Sequence, residues 1–250
     1  MPDLINCRAI VIAGRDLGES DRLITLYTSA KGKVSAIAKG AKRSRKRFMN
    51  ALEPFTLLQV SMALPRTSGL IRIDSTVIVE SFPSLRETTE KYCMASICTE
   101  LVNLWTREND RQDRIYRLFE WYLGALENDK HAKLATLCFK VKLLSFAGYA
   151  PDFTRCLKCR KRPHGSVVSF QIHGGGFLCR ECKEKRDSRN TISVGTLQSL
   201  RYMQQAPLDR LQRLSMGRMS LESAWSIVRN MHCHHLQQVP ASYLVLSNMG

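Results

Sequence analysis

The stretch that decides the fold runs from Cys7 to Ala38 and reads CRAIVIAGRDLGESDRLITLYTSAKGKVSAIA. Turn signals at Gly14 and at Lys31-Gly32-Lys33 divide it into segments rich in β-branched and apolar residues. Such segments between glycine-containing turns are typical of short β-strands. The sequence therefore predicts three consecutive strands: Cys7–Ala13, Arg22–Thr28 and Lys33–Ala38.

Two further strands are predicted downstream, at Thr56–Ala63 and Leu70–Val79, with a turn at Thr67-Ser68-Gly69. Five strands within about 80 residues, with a long irregular connection between the third and the fourth, are typical of a small closed barrel such as the OB-fold. The strand pattern alone leaves an SH3-like barrel open as an alternative.

Helical periodicity replaces the strand pattern after Pro83. The segment Leu134–Ala147 is apolar on nearly all of its faces, which places it at the centre of a helical bundle, and Gly148 and Pro151 end it. The predicted helices are Leu85–Trp105, a helix around Ile115–Leu126, Leu134–Ala147, Ser193–Met203 and Ser220–Leu236.

Two tight cysteine pairs, Cys156-Leu-Lys-Cys159 and Cys179-Arg-Glu-Cys182, are separated by 19 residues. This spacing is typical of a zinc site with four cysteine ligands, and the segments Val167–Ile172 and Phe177-Leu178 predict a β-hairpin between the pairs, as in a zinc ribbon. Four thiolates fill the coordination shell, so a structural zinc ion, one per chain, is expected rather than a catalytic one.

These patterns together predict a multi-domain α+β chain. The predicted parts are an N-terminal five-stranded OB-fold-like barrel in residues 1–82, a helical domain in 83–152, a four-cysteine zinc-ribbon-like module in 153–190, and C-terminal helices in 191–250 that pack with the helical domain.

The charge is strongly positive and unevenly distributed. The chain has 38 Lys and Arg against 22 Asp and Glu, a net charge of +16; residues 1–50 carry +7 and residues 151–190 carry +6, whereas residues 81–150 carry only +1. Concentration of the excess at the barrel and at the cysteine module indicates a surface that binds a polyanion. For the basic residues of the module, neutralising the thiolates and contacting DNA both remain open.

A basic run follows the third predicted strand and is the candidate DNA-binding segment. It can neutralise several phosphates without reading bases. Phe48 and Tyr27 are candidate stacking platforms for a base, and the alternative for each is burial in the barrel. The alternative for the run is a solvated loop. The candidate residues are Lys39, Lys42, Arg43, Arg45, Lys46, Arg47 and Phe48.

Several function classes are excluded by their missing signatures. The chain has no phosphate-binding loop of nucleotide hydrolases, no nucleophile elbow, no HExxH zinc motif and no zinc-deaminase pattern, so an enzyme is not expected. A second metal site at His232–His235 is disfavoured, because neighbouring helical positions point in different directions. The absence of a long apolar segment and of a secretory signal predicts a soluble, cytoplasmic protein.

Four motifs occur in one order along the chain: Gly18–Thr28 (GESDRLITLYT), KGAKR from Lys39, LEPFT from Leu52, and Leu143–Pro151 leading into the cysteines. On these motifs the chain resembles the RecO family of bacterial recombination mediators over nearly its full length. The resemblance implies an OB-fold, binding of single- and double-stranded DNA, strand annealing, work with RecR to load RecA onto strands covered by single-strand-binding protein, and association with the nucleoid. Some family members lack the cysteines, which implies that the metal supports folding.

The resemblance also implies that the acidic, apolar C-terminal tail of single-strand-binding protein docks in the helical domain. The cations expected to meet its carboxylates are Lys133, Lys140 and Lys142. Two alternatives from other classes remain at this point: a zinc-ribbon RNA-binding or ribosome-associated factor, and a zinc-dependent hydrolase, which the closed four-cysteine set disfavours.

Overall fold

The computed structural model describes residues 3–44, 46–65, 69–128, 131–183 and 190–247. The chain forms two compact units, Met1–Asn128 and Asp129–Gly250. None of the described helices is both long and apolar enough to cross a membrane.

The first unit begins with a closed five-stranded barrel of the OB-fold type, which confirms the predicted fold class. Antiparallel pairing joins neighbouring strands except between β3 and β5, which pair in parallel at Ala36↔Ile71 and Ile37↔Arg72 and so close the barrel in the order β1-β2-β3-β5-β4. The strands are β1 Leu4–Leu17, β2 Asp21–Thr28, β3 Gly32–Ala38, β4 Leu57–Ala63 and β5 Ile71–Glu80.

The barrel is stabilised by side chains that alternate between its interior and its surface. Along β3 every second residue from Gly32 to Ala38 is buried, as expected for a strand with one face on the core. The long connection between β3 and β4 adds Phe48, Ala51 and Leu52 to the same core cluster. This connection is therefore anchored to the barrel through apolar side chains.

Three helices complete the first unit: α1 Ser84–Glu87, α2 Thr89–Trp105 and α3 Asp113–Asn128. The single helix predicted from Leu85 is interrupted at Thr88, whose extended backbone and side chain, accepting from the Lys91 N–H, cap α2. The segment between α2 and α3 lies against β3, where the Asn109 N–H donates to the Lys33 carbonyl at 2.8 Å.

The second unit combines a helical core with a small sheet. The buried helix α4 packs against α5 and α7, as its apolar sequence predicts, and the four-stranded sheet has the order β6-β8-β7-β9. Its elements are α4 Ala132–Phe146, β6 Asp152–Cys156, β7 Val167–Gln171, β8 Gly176–Leu178, β9 Thr191–Ser193, α5 Val194–Gln205, α6 Leu208–Leu211, α7 Arg218–Leu236 and α8 Ala241–Ser247.

The hairpin predicted between the cysteine pairs is present as the antiparallel pair β7 and β8, with Phe170 opposite Phe177. Strands β6 and β9 add to its two edges, and neither was predicted from the sequence. The domain boundaries expected from the sequence stay a prediction.

Candidate nucleic-acid interface and metal centre

Four cysteine sulfurs converge at one edge of the small sheet. The Sγ atoms of Cys156, Cys159, Cys179 and Cys182 all lie within 4.8 Å of one another. The Sγ atoms of Cys159 and Cys179 are 3.7 Å apart, which is far longer than a disulfide bond and close to the separation of about 3.8 Å expected between sulfurs that share one tetrahedral zinc ion.

Each cysteine pair is held by a tight turn that directs its sulfurs to the same point. In the first turn the Arg160 N–H donates to the Cys156 carbonyl at 3.0 Å, and Arg160 adopts a positive φ of 61°. In the second turn the N–H groups of Cys182 and Lys183 donate to the Cys179 carbonyl at 3.1 and 3.0 Å. The two turns therefore preorganise the four thiols.

Burial and hydrogen bonding within the cluster shift the thiol pKa values of Cys156 and Cys182 in opposite directions. Burial opposes ionisation of Cys156, but the backbone N–H groups of Cys159, Cys179 and Lys158 lower the pKa of its thiol to about 6. Burial and hydrogen bonds to the other three thiols raise the pKa of Cys182 to about 12. A divalent cation at the centre would favour the thiolate form of all four groups, so the cluster fits a metal better than it fits four thiols.

A second group of ligand-type atoms, from His164, Cys179 and Glu181, also lies close enough to hold a cation. It shares Cys179 with the four-cysteine cluster, and its other two members are exposed. Because one thiolate cannot complete both sites, the four-cysteine cluster, which offers the full tetrahedral set, is the better candidate metal centre.

The basic run lies on the surface of the barrel. Lys39, Lys42, Arg43, Lys46 and Arg47 are exposed, and Arg45 lies outside the described residues. The Arg47 guanidinium donates to the Lys39 carbonyl at 3.0 Å, and the Arg47 carbonyl accepts from the Thr76 hydroxyl on β5 at 2.7 Å. These contacts hold both ends of the run against the barrel. We call Lys39–Arg47 the basic loop.

Phe48 is not available as a stacking platform, so that prediction is wrong. Its side chain is 4% exposed and belongs to the barrel core, with the Arg47 guanidinium 4.9 Å from its ring centroid. Tyr27 is also fully buried. Phe48 anchors the connection between β3 and β4 to the barrel core, together with its apolar neighbours Ala51 and Leu52.

Two of the described cations of the basic loop have carboxylate partners on the β1–β2 hairpin. Lys42 pairs with Asp16 at 2.8 Å, and Arg43 lies 4.0 Å from Glu19. These pairs are exposed and therefore weak, so a phosphate could replace either carboxylate at small cost. No described carboxylate lies within ion-pair distance of Lys39, Lys46 or Arg47.

Lys140 and Lys142 are buried, so the prediction that they receive a partner's carboxylates from the surface is wrong. The Lys140 ammonium lies 3.9 Å from the ring centroid of Trp225 and 4.8 Å from that of Tyr243. Lys142 donates to the carbonyls of Gln204 and Ala206 at the end of α5, and burial lowers its pKa. Both residues are on α4, in which twelve of the fifteen residues are buried.

Lys133 is the third lysine of that set and is the one that remains accessible. Its side chain is 29% exposed and its ammonium lies 2.5 Å from a carboxylate oxygen of Glu222 on α7. The same ammonium lies 5.4 Å from the ring centroid of Trp225. Lys133 is therefore a half-buried cation beside an aromatic residue.

The histidines near the end of α7 do not form a metal cluster with one another in the described part of the chain. His232 is fully buried and bonds the Lys140 carbonyl, while the ring of His234 contacts that of His173 with centroids 4.4 Å apart. His173 lies in the turn between β7 and β8, a partner that the sequence did not indicate.

Comparison with known proteins identifies the family. The model of the N-terminal part of recombination protein O matches residues 1–82, and that of its C-terminal part matches residues 86–243. The chain is 34% identical over 206 residues to the DNA repair protein RecO of Anaeromyxobacter dehalogenans strain 2CP-C, covering 82% of this chain and 81% of that relative. It is 29% identical over 246 residues to RecO of Syntrophotalea carbinolica, covering 98% and 95%.

The matches span both units and include the barrel, the buried helix and the four cysteines in one order. They favour DNA repair over the RNA-binding and hydrolase alternatives. The chain belongs to the RecO family of DNA repair and recombination proteins.

Proposed function

We propose that this protein is a non-enzymatic recombination mediator that binds single- and double-stranded DNA and anneals complementary strands. The observation that carries the proposal is the basic loop, whose five described cations are all exposed on a closed barrel in a chain of the RecO family. In keeping with that family, it acts in the cytoplasm at the nucleoid and works with RecR to load RecA onto strands covered by single-strand-binding protein.

The basic loop contacts the phosphate backbone rather than the bases. Its described charged residues are all Lys or Arg, and the aromatic residue that follows the loop is buried, so the described part of the loop presents no ring for stacking. Phosphate contacts of this kind are independent of sequence and sensitive to salt. A protein that anneals any pair of complementary strands must bind DNA independently of its base sequence.

The four-cysteine cluster holds a structural zinc ion. Cys156, Cys159, Cys179 and Cys182 would coordinate it, and the bound ion links the two turns that flank the β7–β8 hairpin. With four thiolates the coordination shell is complete, so the ion stabilises the sheet and binds no substrate. Its contribution is to the folding of the second unit.

The acidic tail of single-strand-binding protein docks beside Lys133 in the second unit. Lys133 is half-buried, close to Trp225 and paired with Glu222, so a carboxylate of the tail can take the place of Glu222 while apolar groups of the tail lie near the aromatic ring. Lys140 and Lys142 take no part in this contact, because they are buried.

Annealing tests the proposal directly. Two complementary oligonucleotides, each coated with single-strand-binding protein from the same organism, should anneal faster with the protein than without it, and without added nucleotide. Replacing Lys42, Arg43, Lys46 and Arg47 with Glu should weaken binding and reduce the slope of log affinity against log salt by about 2.8 for single strands, at about 0.7 for each lost contact.

A matched control changes the same amount of charge elsewhere in the first unit. The control variant replaces four exposed arginines of the α2–α3 region with Glu: Arg107, Arg111, Arg114 and Arg117. It should retain the wild-type salt slope. If both variants lose the same slope, the barrel's basic loop is not a specific contact. If the wild type accelerates no annealing and binds structured RNA more tightly than DNA, the proposed function is wrong.

A further inference from the structure

We propose that the second unit carries its own nucleic-acid contact, centred on a cleft beside the second cysteine turn that receives a phosphate group of a DNA strand. This inference rests on the proposed function, because it adds a second contact to a DNA-binding protein. It assigns a role to the basic residues around the cysteines, which the sequence leaves open.

The distribution of charge between the two units is the first support. The second unit has 19 Lys and Arg against 7 Asp and Glu, a net charge of +12, whereas the first unit has 19 against 15, a net charge of +4. Most of the net positive charge therefore lies in the second unit. A surplus of this size in one unit attracts a polyanion and raises its rate of association.

The positions of the cations in the cysteine module are the second support. The Lys161 ammonium lies 3.4 Å from a carboxylate oxygen of Glu181, so its charge is engaged by that carboxylate. Arg160 pairs with Asp152 at 3.6 Å. Four further exposed cations have no described carboxylate within ion-pair distance: Arg155, Lys158, Arg162 and Arg180.

The cleft itself is the third support. It has a volume of about 560 Å³ and lies between the segment His164–Ser169 and the second cysteine turn with Thr191. Its floor is formed by buried Val168 and Ser169, and its rim carries Arg180 and Lys183. Concave sites with an apolar floor and a few convergent polar groups are typical of ligand sites. The Lys183 ammonium lies 3.2 Å from the Thr191 hydroxyl, which holds it at the rim.

Among the described residues that line this cleft, Glu181 is the one carboxylate, and its charge must be compensated before an anion can bind. It lies 3.4 Å from the Lys161 ammonium and 3.7 Å from His164 Nε2. Its charge is therefore engaged by Lys161, and Arg180 and Lys183 remain to meet the phosphate. His164 adds a donor to the rim when its Nε2 carries a proton.

A nucleic acid explains these features better than an isolated anion. A single phosphate would occupy the cleft but would leave the exposed cations on the neighbouring turn without a partner. A strand whose phosphates repeat along its backbone can place one in the cleft and others against Arg155, Lys158 and Arg162. Two separate contacts on one chain would also let the protein hold two strands at once, as annealing requires.

Salt-dependent binding of a fluorescein-labelled single-stranded dT20 to the full-length, zinc-loaded protein tests the proposal. The double variant Arg180→Gln with Lys183→Gln should reduce the salt slope by about 1.4, the loss of two contacts, while retaining one zinc per chain. A matched control, Arg210→Gln with Arg213→Gln, removes two exposed arginines of the same unit outside the module and should leave the slope unchanged. When the double variant is combined with the glutamate variant of the basic loop, the reduction in salt slope should equal the sum of the reductions measured for the two variants separately.

Photocrosslinking provides a second measurement that does not depend on the variants. With 4-thiothymidine in the oligonucleotide, crosslinks are expected in the basic loop and also between residues 155 and 183. An unchanged salt slope together with crosslinks in the basic loop alone would overturn this inference and leave the proposed function intact. Failure of the wild-type protein to bind the oligonucleotide would instead overturn both.

Discussion

The imidazole of His232 on α7 donates from Nε2 to the backbone carbonyl of Lys140 on α4 at 3.1 Å, inside the core of the second unit. Burial, and then the positive charge of Lys140, lower the pKa of His232 well below its ordinary value of 6.5. The histidine is therefore neutral in the folded protein. It joins two helices through a bond that a protonated ring could keep only at the cost of a buried charge.

The second unit should lose stability as the pH falls below about 6.5. The unfolded chain binds a proton at His232 more readily than the folded one, so unfolding is favoured between that pH and the lower folded-state pKa. In urea unfolding at several pH values, His232→Gln should flatten this dependence, while exposed His131→Gln should keep it. A small residual slope is expected because the pKa of His235 is also lowered. Identical slopes for the wild type and His232→Gln would contradict the assignment.

Gly32→Ala should destabilise the first unit by more than backbone strain alone. A Cβ at this position would lie 1.9 Å from the Asp110 carbonyl oxygen, and Gly32 has a positive φ of 67°. Gly18→Ala is the matched control, since Gly18 has a φ of 64° with no atom within 4 Å of the added carbon. Strain costs about 1–2 kcal/mol in both, and the collision adds about 1–3 kcal/mol only at Gly32. Equal free energies of unfolding for the two variants would show that the 106–112 segment is not packed on β3.

Cys156→Ser should release the metal and lower the thermal stability of the second unit. Removing one thiolate leaves three ligands, and a structural metal contributes its binding free energy to folding. Metal content by atomic absorption should fall well below one ion per chain, whereas Cys233→Ser, a half-buried cysteine outside the cluster, should retain it. A full equivalent of metal in Cys156→Ser would refute the four-cysteine site.

Lys133→Gln and Glu222→Gln should change the affinity for the acidic tail peptide in opposite directions. Lys133→Gln removes the cation and should weaken binding several-fold, about 1 kcal/mol for a partly exposed pair. Glu222→Gln removes the competing carboxylate and should strengthen binding by a similar factor. Titration calorimetry at moderate salt measures both, and an unchanged affinity in the two variants would place the peptide elsewhere.

The barrel and the cysteine cluster could be predicted from the sequence because their signals are local. Alternating strands between glycine turns, and two cysteine pairs at a fixed spacing, constrain structure within a few residues. Strands β6 and β9 could not be found in this way, since they have five and three residues and exist because they pair with the edges of the hairpin.

Local sequence patterns could not predict which individual side chains of the candidate sites are exposed. Phe48 belongs to a basic segment by sequence but to the barrel core by packing. The sequence predicted Lys140 and Lys142 to be surface cations, although the helix that contains them is apolar on nearly every face and most of its residues are buried. The accessible lysine, Lys133, lies near the start of the same helix, where burial is incomplete.

Burial of Phe48 also has a consequence for the proposed contact between the neighbouring arginine and DNA. A flexible loop would have to give up conformational entropy each time it bound a phosphate, at about 0.5–1.5 kcal/mol for each ordered side chain. Here the Phe48 ring packs among core residues, and Cζ of the Arg47 guanidinium lies 4.9 Å from the centroid of that ring. Much of that entropy has already been lost when the barrel folds, so Phe48 would lower the entropic cost of the proposed contact without touching DNA itself.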